Sequence, residues 1–164
     1  TVMYGWSSRY TESMAEWVLR GLQESRERCP EPVEGLNMYH DQYRQFILIN
    51  DLVAVIFELI EYSGLGELNG HQLKETIHVV GPELLSRYEF AKRLAQTFGL
   101  PETNIRSIPF DSVSQAAFTP KRLNLDITKA THILRTPLSG VDEGLRAMAA
   151  LAKEGYPGRF NRVF

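Results

Sequence analysis

Tyr88 and Lys92 stand four residues apart. At that spacing one helical turn places an ammonium near a phenol and lowers the phenol's pKa for proton transfer. Two residues at one spacing also occur easily by chance. This pair follows a Ser86/Glu89 capping box, sits on a helix whose opposite face is apolar, and has no glycine-rich strand unit ahead of it to bring a dinucleotide close. First-turn packing with a solvated lysine is the reading that fits. Gly64, Gly66 and Gly70 suggest a phosphate-cradling loop, because glycines let a backbone approach a pyrophosphate at a helix start. Such a loop follows a buried strand and opens a helix, whereas this one follows a helix, leads into polar residues and a strand, and has its last gap one residue too long. It reads as a plain connection. His40, His71, His78 and His132 share no ligand spacing, and Cys29 stands alone, so no metal site is indicated. No nucleophile elbow, Walker loop or zinc-protease helix is present. By its residues alone the chain carries no self-contained catalytic constellation, and the expectation is no catalytic, cofactor-binding or metal-binding residue.

The chain has 164 residues, near the usual size of one domain and long enough to bury a core. With 43% hydrophobic and 23% charged residues, disorder, collagen-like repeats and a coiled coil are excluded. Eighteen Lys and Arg against twenty Asp and Glu give a net charge of −2, which lacks the electrostatic footprint of a nucleic-acid binder and argues against an anionic membrane as partner. A single cysteine forms no internal disulfide, so a cytoplasmic location is the default expectation. The most apolar stretch, residues 46–60, is interrupted by Asn50, Asp51 and Glu58 and is too short to span a bilayer. Residues 1–6 read like a strand end running into a loop, without the regions of a signal peptide, and the expectation is a chain that begins partway through a larger fold.

Helical periodicity and short β-rich runs alternate, which predicts an α/β or α+β chain. A first helix places Met14, Trp17, Val18, Gly21 and Leu22 inward behind a Thr11 cap and ends before Pro30. Residues 29–35 are a Pro-rich loop, followed by strands at 36–39 and 45–49. Asn50 and Asp51 open a second helix whose Leu52, Val53, Val55, Ile56, Leu59 and Ile60 predict burial on most sides. Residues 76–80 have the strongest strand composition of the sequence. The third helix has every end signal: the Ser86/Glu89 box, a core face of Phe90, Ala91, Leu94, Ala95 and Phe98, Gly99 for a left-handed turn, and Pro101 beyond. A strand at 105–110, a loop at 111–125, a short helix capped by Asp126 and reaching Leu134, and a last helix opened by Ser139 and Asp142 complete the chain. The expected domain organisation is a single domain over 1–164, with residues 155–164 a basic and aromatic tail.

Read in order, these segments resemble the C-terminal half of extended short-chain dehydrogenase/reductases of the dTDP-4-dehydrorhamnose reductase type. Met3-Tyr4-Gly5-Trp6 is similar to the Tyr-Gly turn after that family's sixth Rossmann strand. Asp41-Gln42-Tyr43-Arg44 with Ile49-Asn50-Asp51-Leu52 is similar to its Asp-Gln-x-x-x-Pro-Thr-x-Val-x-Asp-Leu segment, with Phe46-Ile47 replacing Pro-Thr. His78-Val79-Val80-Gly81 followed by Ser86-Arg87-Tyr88-Glu89-Phe90-Ala91 is the most specific part of the resemblance. In that family this tyrosine is not the catalytic one. Residues 119–129 resemble its Arg-Pro-x-Asn-x-x-Leu-Asp-x-Ser-Lys stretch, with Thr119 in place of Arg and Arg122 in place of Asn. These changes, and Val2 where deoxysugar-nucleotide reductases tend to carry Trp, keep the substrate from being carried over unchanged.

The resemblance implies an incomplete Rossmann-type α/β fold, the substrate-binding portion of an NADP(H)-dependent keto-sugar reductase. The family's Gly-rich loop, catalytic Ser or Thr, and true Tyr-x-x-x-Lys are absent from this chain, so NADP(H) is expected in the parent protein and not on this chain alone. Tyr4, Gly5, Gln42, Arg44, Lys121 and Arg122 are the candidates for lining a sugar-nucleotide cleft, the arginines pairing diphosphate oxygens in a forked geometry. The same subfamily includes the regulatory subunit of methionine adenosyltransferase. That leaves open a binding role, with Arg159 to Phe164 in the tail as a partner anchor. A lone fragment of such a fold is expected to expose apolar surface.

Overall fold

The computed structural model describes residues 2–7, 12–27, 35–63, 76–112 and 119–156. Strand β1 (Val2–Tyr4) runs parallel to β3 (Tyr43–Leu48), and β3 runs antiparallel to β4 (Leu84–Ser86), so β3 is the central strand of a three-stranded sheet. Strands β2 (Leu36–Tyr39) and β5 (Ile105–Ile108) form a separate parallel pair. Helices α1 (Met14–Glu27), α2 (Ile49–Ser63), α3 (Arg87–Phe98), α4 (Thr128–Ile133) and α5 (Val141–Lys153) surround these strands. The expected α/β class with helices and short strands is what forms.

Helix α3 is the packing centre, touching α1, α5, β2 and β5. Its Ser86 side chain accepts the Glu89 N–H, the Glu89 carboxylate accepts the Ser86 N–H, and Gly99 closes it at φ 65°, all as the sequence predicts. Phe90 stacks on Phe46 with ring centroids 4.2 Å apart and meets Tyr4 edge-on at 5.2 Å, so one aromatic side chain ties α3 to both β1 and β3.

Several expectations are corrected. Residues 76–80 form no strand: β3 pairs with β1 along Phe46 to Leu48 and with β4 along Tyr43 to Gln45, and this segment makes no ladder with it. The segment keeps a period-two burial instead, and Ile77 and Val79 pack on a second cluster of Val55, Ala130, Ile133 and Leu134. The strand before α2 ends at Leu48 and the helix starts at Ile49, one residue ahead of the expected Asn50 cap. Helix α2 is not buried on most sides, because Val53, Ile56, Phe57 and Ile60 form an exposed apolar face. Trp17 is also exposed, the inward positions of α1 being Ala15, Val18, Leu19 and Leu22.

Caps also come from unexpected places. In α1, Ser13 and Glu16 form a reciprocal pair, the Ser13 Oγ accepting Glu16 N–H at 3.3 Å and a Glu16 carboxylate oxygen accepting Ser13 N–H at 2.8 Å. Thr11 lies outside the described residues, as do Cys29, His71 and the glycines at 64, 66 and 70. Asp126 accepts the Thr128 N–H at 2.8 Å but stands one residue before the helix boundary. Helix α5 is opened by neither Ser139 nor Asp142. The Glu83 carboxylate, distant in sequence, accepts the Val141 N–H at 2.6 Å, and Asp51 accepts the Ser139 N–H at 2.8 Å.

Glu58 anchors the turn after α4, its two oxygens accepting Arg135 N–H at 2.7 Å and Thr136 N–H at 2.9 Å from a buried position. Burial works to raise its pKa, and hydrogen bonds from Thr136 and Arg135 more than offset that, holding the carboxyl below its ordinary 4.5. A depressed folded pKa gives stability that is complete above the unfolded value and lost as pH falls through the folded one. Glu58→Gln should therefore cost about 1–2 kcal/mol at pH 7. The gap between variant and wild type in urea unfolding should shrink below pH 4.5.

Candidate functional site

The six candidate residues fall into two groups. Tyr4 and Gly5 sit at the C-terminal end of β1, beside a cleft of about 650 Å³ whose wall includes Trp6, Ser13, Met14 and Ile49. Gly5 has φ 136°, and a Cβ there would meet the Ile49 side chain, so the turn out of β1 requires glycine. Its carbonyl accepts the Ser13 hydroxyl at 2.8 Å, which fixes the start of α1 across the cleft mouth. The Trp6 indole donates to the Met148 carbonyl at 2.9 Å, and its ring meets Phe98 edge-on.

The Tyr4 side chain points away from the cleft opening into the core, 1% exposed, with its hydroxyl against Gly144 and no hydrogen-bond partner. Burial, with the charges of Asp51 and Glu83 adding, pushes the phenol well above its ordinary value. Tyr4→Phe removes an unpaired buried hydroxyl, so it should leave stability unchanged or raise it by about 1 kcal/mol. Chemical denaturation checks this, and a large loss would mean that the hydroxyl has a partner.

Gln42, Arg44, Lys121 and Arg122 are brought together at the start of β3. Tyr43 N–H donates to the Lys121 carbonyl at 2.7 Å and the Tyr43 carbonyl accepts Leu123 N–H at 3.2 Å, a bridge that lays residues 120–123 alongside the strand. Arg44, 6% exposed, holds this loop: Nη1 donates to the carbonyls of Tyr43 (2.7 Å) and Lys121 (3.2 Å), and Nη2 to that of Pro120 (2.8 Å). Of the five N–H donors of a guanidinium, this leaves the Nε–H and one Nη2 hydrogen. Gln45 continues the clamp, its amide donating to and accepting from the backbone of Leu125. The Arg122 guanidinium lies 5.4 Å from the Tyr43 ring centre.

Lys121 is committed elsewhere. Its ammonium lies 2.6 Å from Asp111 and 3.0 Å from Asp41, and Asp41 also accepts the Phe110 N–H at 2.7 Å. The hydrogen bond to Asp111, then that to Asp41, raises the lysine pKa, and the Phe110 N–H followed by Lys121 lowers that of Asp41. An anion reaching Lys121 competes with two carboxylates already in place. Gln42 is 2% exposed, with its Oε1 buried and unpartnered. Sequence reasoning missed Arg87, which lies across the ladder from Gln42, and missed Ser13 and Met14 at the cleft. Arg87 and Met14 stand in stretches read only for helix capping and packing; the fold brings all three to the site.

The Tyr88 and Lys92 pair does not make a proton-transfer unit. Lys92 is bound to Glu102 at 3.1 Å, with its ammonium 5.9 Å from the Tyr88 ring centre, and the Glu102 contact raises the lysine pKa. His40 Nδ1 is hydrogen-bonded to Ser107 Oγ at 3.1 Å, His132 Nδ1 lies 2.7 Å from the Thr128 carbonyl, and His78 is exposed. Among the described residues no group of three potential ligands could hold a metal, and no helix is long and apolar enough to cross a membrane. The described residues contain no strand, glycine-rich loop and helix unit of the kind that cradles a dinucleotide.

Comparison with known proteins agrees with this architecture. The chain is 30% identical over 148 residues to methionine adenosyltransferase 2 subunit beta of Mus musculus and to that of Rattus norvegicus, in each case covering 88% of this chain and 41% of the relative. It thus spans less than half the length of those curated relatives. Among solved structures it superposes on dTDP-4-dehydrorhamnose reductase from Bacillus anthracis, determined in complex with NADP, with a TM-score of 0.67, 21% identity and coverage of 91% of this chain and 46% of that one. The orthologue from Clostridium acetobutylicum gives a TM-score of 0.71 at 16% identity, covering 93% of this chain and 47% of that one. These likenesses establish that the chain shares the fold of the portion it matches, somewhat under half, of those Rossmann-type enzymes. The sequence profile of the RmlD substrate binding domain matches residues 20–153, a span that holds Gln42, Arg44, Lys121 and Arg122, and the chain belongs to that family.

Proposed function

We propose that residues 1–164 form one substrate-side domain, and that it is the sugar-nucleotide-binding portion of an NADP(H)-dependent reductase acting on a keto sugar. The observation that carries this reading is the convergence of Gln42, Arg44 and Arg122 on the start of β3 within the span matched by the family profile. The two donors left on Arg44 suit one phosphoryl oxygen pair, Arg122 and Gln42 border the same loop, and Tyr4 and Gly5 shape a cleft for the sugar. Lys121 acts there mainly by pinning the loop through Asp41 and Asp111.

NADP(H) belongs, in this reading, to a further portion of the protein, where it supplies the hydride; this chain binds and orients the sugar nucleotide. The relatives' greater length supports that arrangement. So do the exposed Met3 on β1, the exposed apolar face of α2, and a β1 that pairs among the described residues only with β3. A cytoplasmic location fits a nucleotide-sugar substrate. Saturation-transfer NMR with dTDP- and UDP-hexoses against free hexoses tests the proposal. Transfer to the nucleotide sugars alone supports it, and equal transfer to free hexoses or none at all removes it.

The identity to methionine adenosyltransferase 2 subunit beta favours a second reading, a regulatory binding subunit. The candidate anchor, Arg159 to Phe164, lies outside the described residues. Co-purification with a methionine adenosyltransferase catalytic chain, lost on deleting residues 159–164, would support this reading over the first.

A further inference from the structure

Among the described residues Arg87, the first residue of α3, lacks the carboxylate that accompanies Arg20, Lys92, Arg93 and Lys121. Its Nη1 approaches the Met14 Sδ at 3.9 Å, and its Nε is buried without a hydrogen-bond partner. Its backbone N–H donates to the Gln42 carbonyl at 3.3 Å, which sets it opposite Gln42 just beyond the Tyr43–Ser86 register pair. Arg44 stands two residues along from Gln42, near enough for the charge of Arg87 to act on it. Two guanidinium groups and an amide with an unpartnered oxygen therefore share a site, and no carboxylate among the described residues pairs with either arginine. Burial, with the charge of Arg87 adding to it at Arg44, disfavours the charged form of both.

Two like charges drawn together out of water without a counter-charge are costly, and an oxyanion from solution relieves that cost. Met14 supplies the link to the rest of the site, since it touches Arg87 on one side and lines the β1 cleft on the other. Arg87 as a whole is half-buried, so solvent reaches part of its side chain.

We propose that Arg87 is a ligand-binding residue, taking a diphosphate oxygen beside the free edge of Arg44 while the uncharged part of the ligand lies past Met14 in the cleft. The proposal rests on the sugar-nucleotide reading above and adds to it the residue that joins the cationic group to the cleft.

The test is titration of the full chain with inorganic pyrophosphate, with UDP and with uridine, followed by calorimetry and by the arginine Nε–Hε resonances. The Arg87 Nε–Hε signal should shift saturably with pyrophosphate and UDP. Arg87→Met should weaken both by roughly tenfold, the scale of one charge-assisted contact, and leave uridine unaffected. Arg87→Lys, checked by its melting curve to be folded, should lose less than Arg87→Met. Equal pyrophosphate affinity in wild type and Arg87→Met would overturn the assignment and leave the sugar-nucleotide reading standing. Absence of pyrophosphate and UDP binding in the wild type would overturn both.

Discussion

Gly81→Ala should leave little folded protein at 25 °C, with a loss on the order of 4 kcal/mol or more, because the substitution overpacks a site whose neighbour cannot move. A Cβ at residue 81 would run into the Phe46 carbonyl oxygen and come within 2.8 Å of its carbon. Phe46 lies in the central strand, pairs with Val2 and stacks on Phe90, so its backbone cannot retreat without disturbing β1 and the aromatic cluster together. Gly99→Ala is the informative contrast. Gly99 sits at φ 65° with no atom within 4 Å of the place a Cβ would take, so its replacement should cost only about 1–2 kcal/mol, the left-handed penalty of a non-glycine residue. Circular dichroism and urea melts of the two variants separate the mechanisms, and equal losses would refute the backbone contact at Phe46.

Arg44→Met should cost about 3 kcal/mol of stability, since it strips a charge-assisted donor from three carbonyls and unfastens the loop they belong to. Those carbonyls belong to Tyr43, Pro120 and Lys121, so the damage should concentrate in residues 119–125. Faster amide exchange is expected at Leu123 and Leu125, whose N–H groups bond Tyr43 and Gln45, with α3 unaffected. Arg44→Lys should recover less than half of the loss, because one ammonium does not reproduce a fork spread over three acceptors. Under conditions where Arg44→Met is still folded, sugar-nucleotide binding should fall by roughly a hundredfold or more, as the site loses both its cation and its loop. A stability change under about 1 kcal/mol would show that Arg44 is not the clamp described.

Sequence signals are readable where they act locally. The Ser86/Glu89 box and Gly99 define α3 within a few residues of the chain, and its core face is the one the 3.6-residue period predicts. Residues 76–80 have the composition of a strand, yet a strand needs ladder hydrogen bonds to a neighbour, and β3 forms them with β1 and β4 and not with this segment. The caps of α5 are hidden for a similar reason, because Glu83 and Asp51 reach it from far along the chain. Periodicity marks the apolar face of α2 but cannot say what covers it, and in this chain Val53, Ile56, Phe57 and Ile60 remain exposed.

The site is legible in part for a comparable reason. Gln42, Arg44, Lys121 and Arg122 stand out by resemblance to a family pattern, and the Tyr43 bridge to Arg122 is what makes neighbours of segments some eighty residues apart. The resemblance does not show that Asp41 and Asp111 already occupy Lys121, nor that the Tyr4 hydroxyl is turned into the core. Arg87 escapes notice because it stands inside the Ser86/Glu89 capping box, where it reads as a first-turn residue; its meaning lies in the absence of a carboxylate partner once α3 is set against β3.

Whether this chain holds the sugar nucleotide is tested most directly by isothermal titration of the full chain with dTDP-glucose. Saturable one-to-one binding, displaced by dTDP and lost in Arg44→Met, is the expected result. A folded chain that takes up no dTDP- or UDP-hexose at millimolar concentration would contradict the sugar-nucleotide reading.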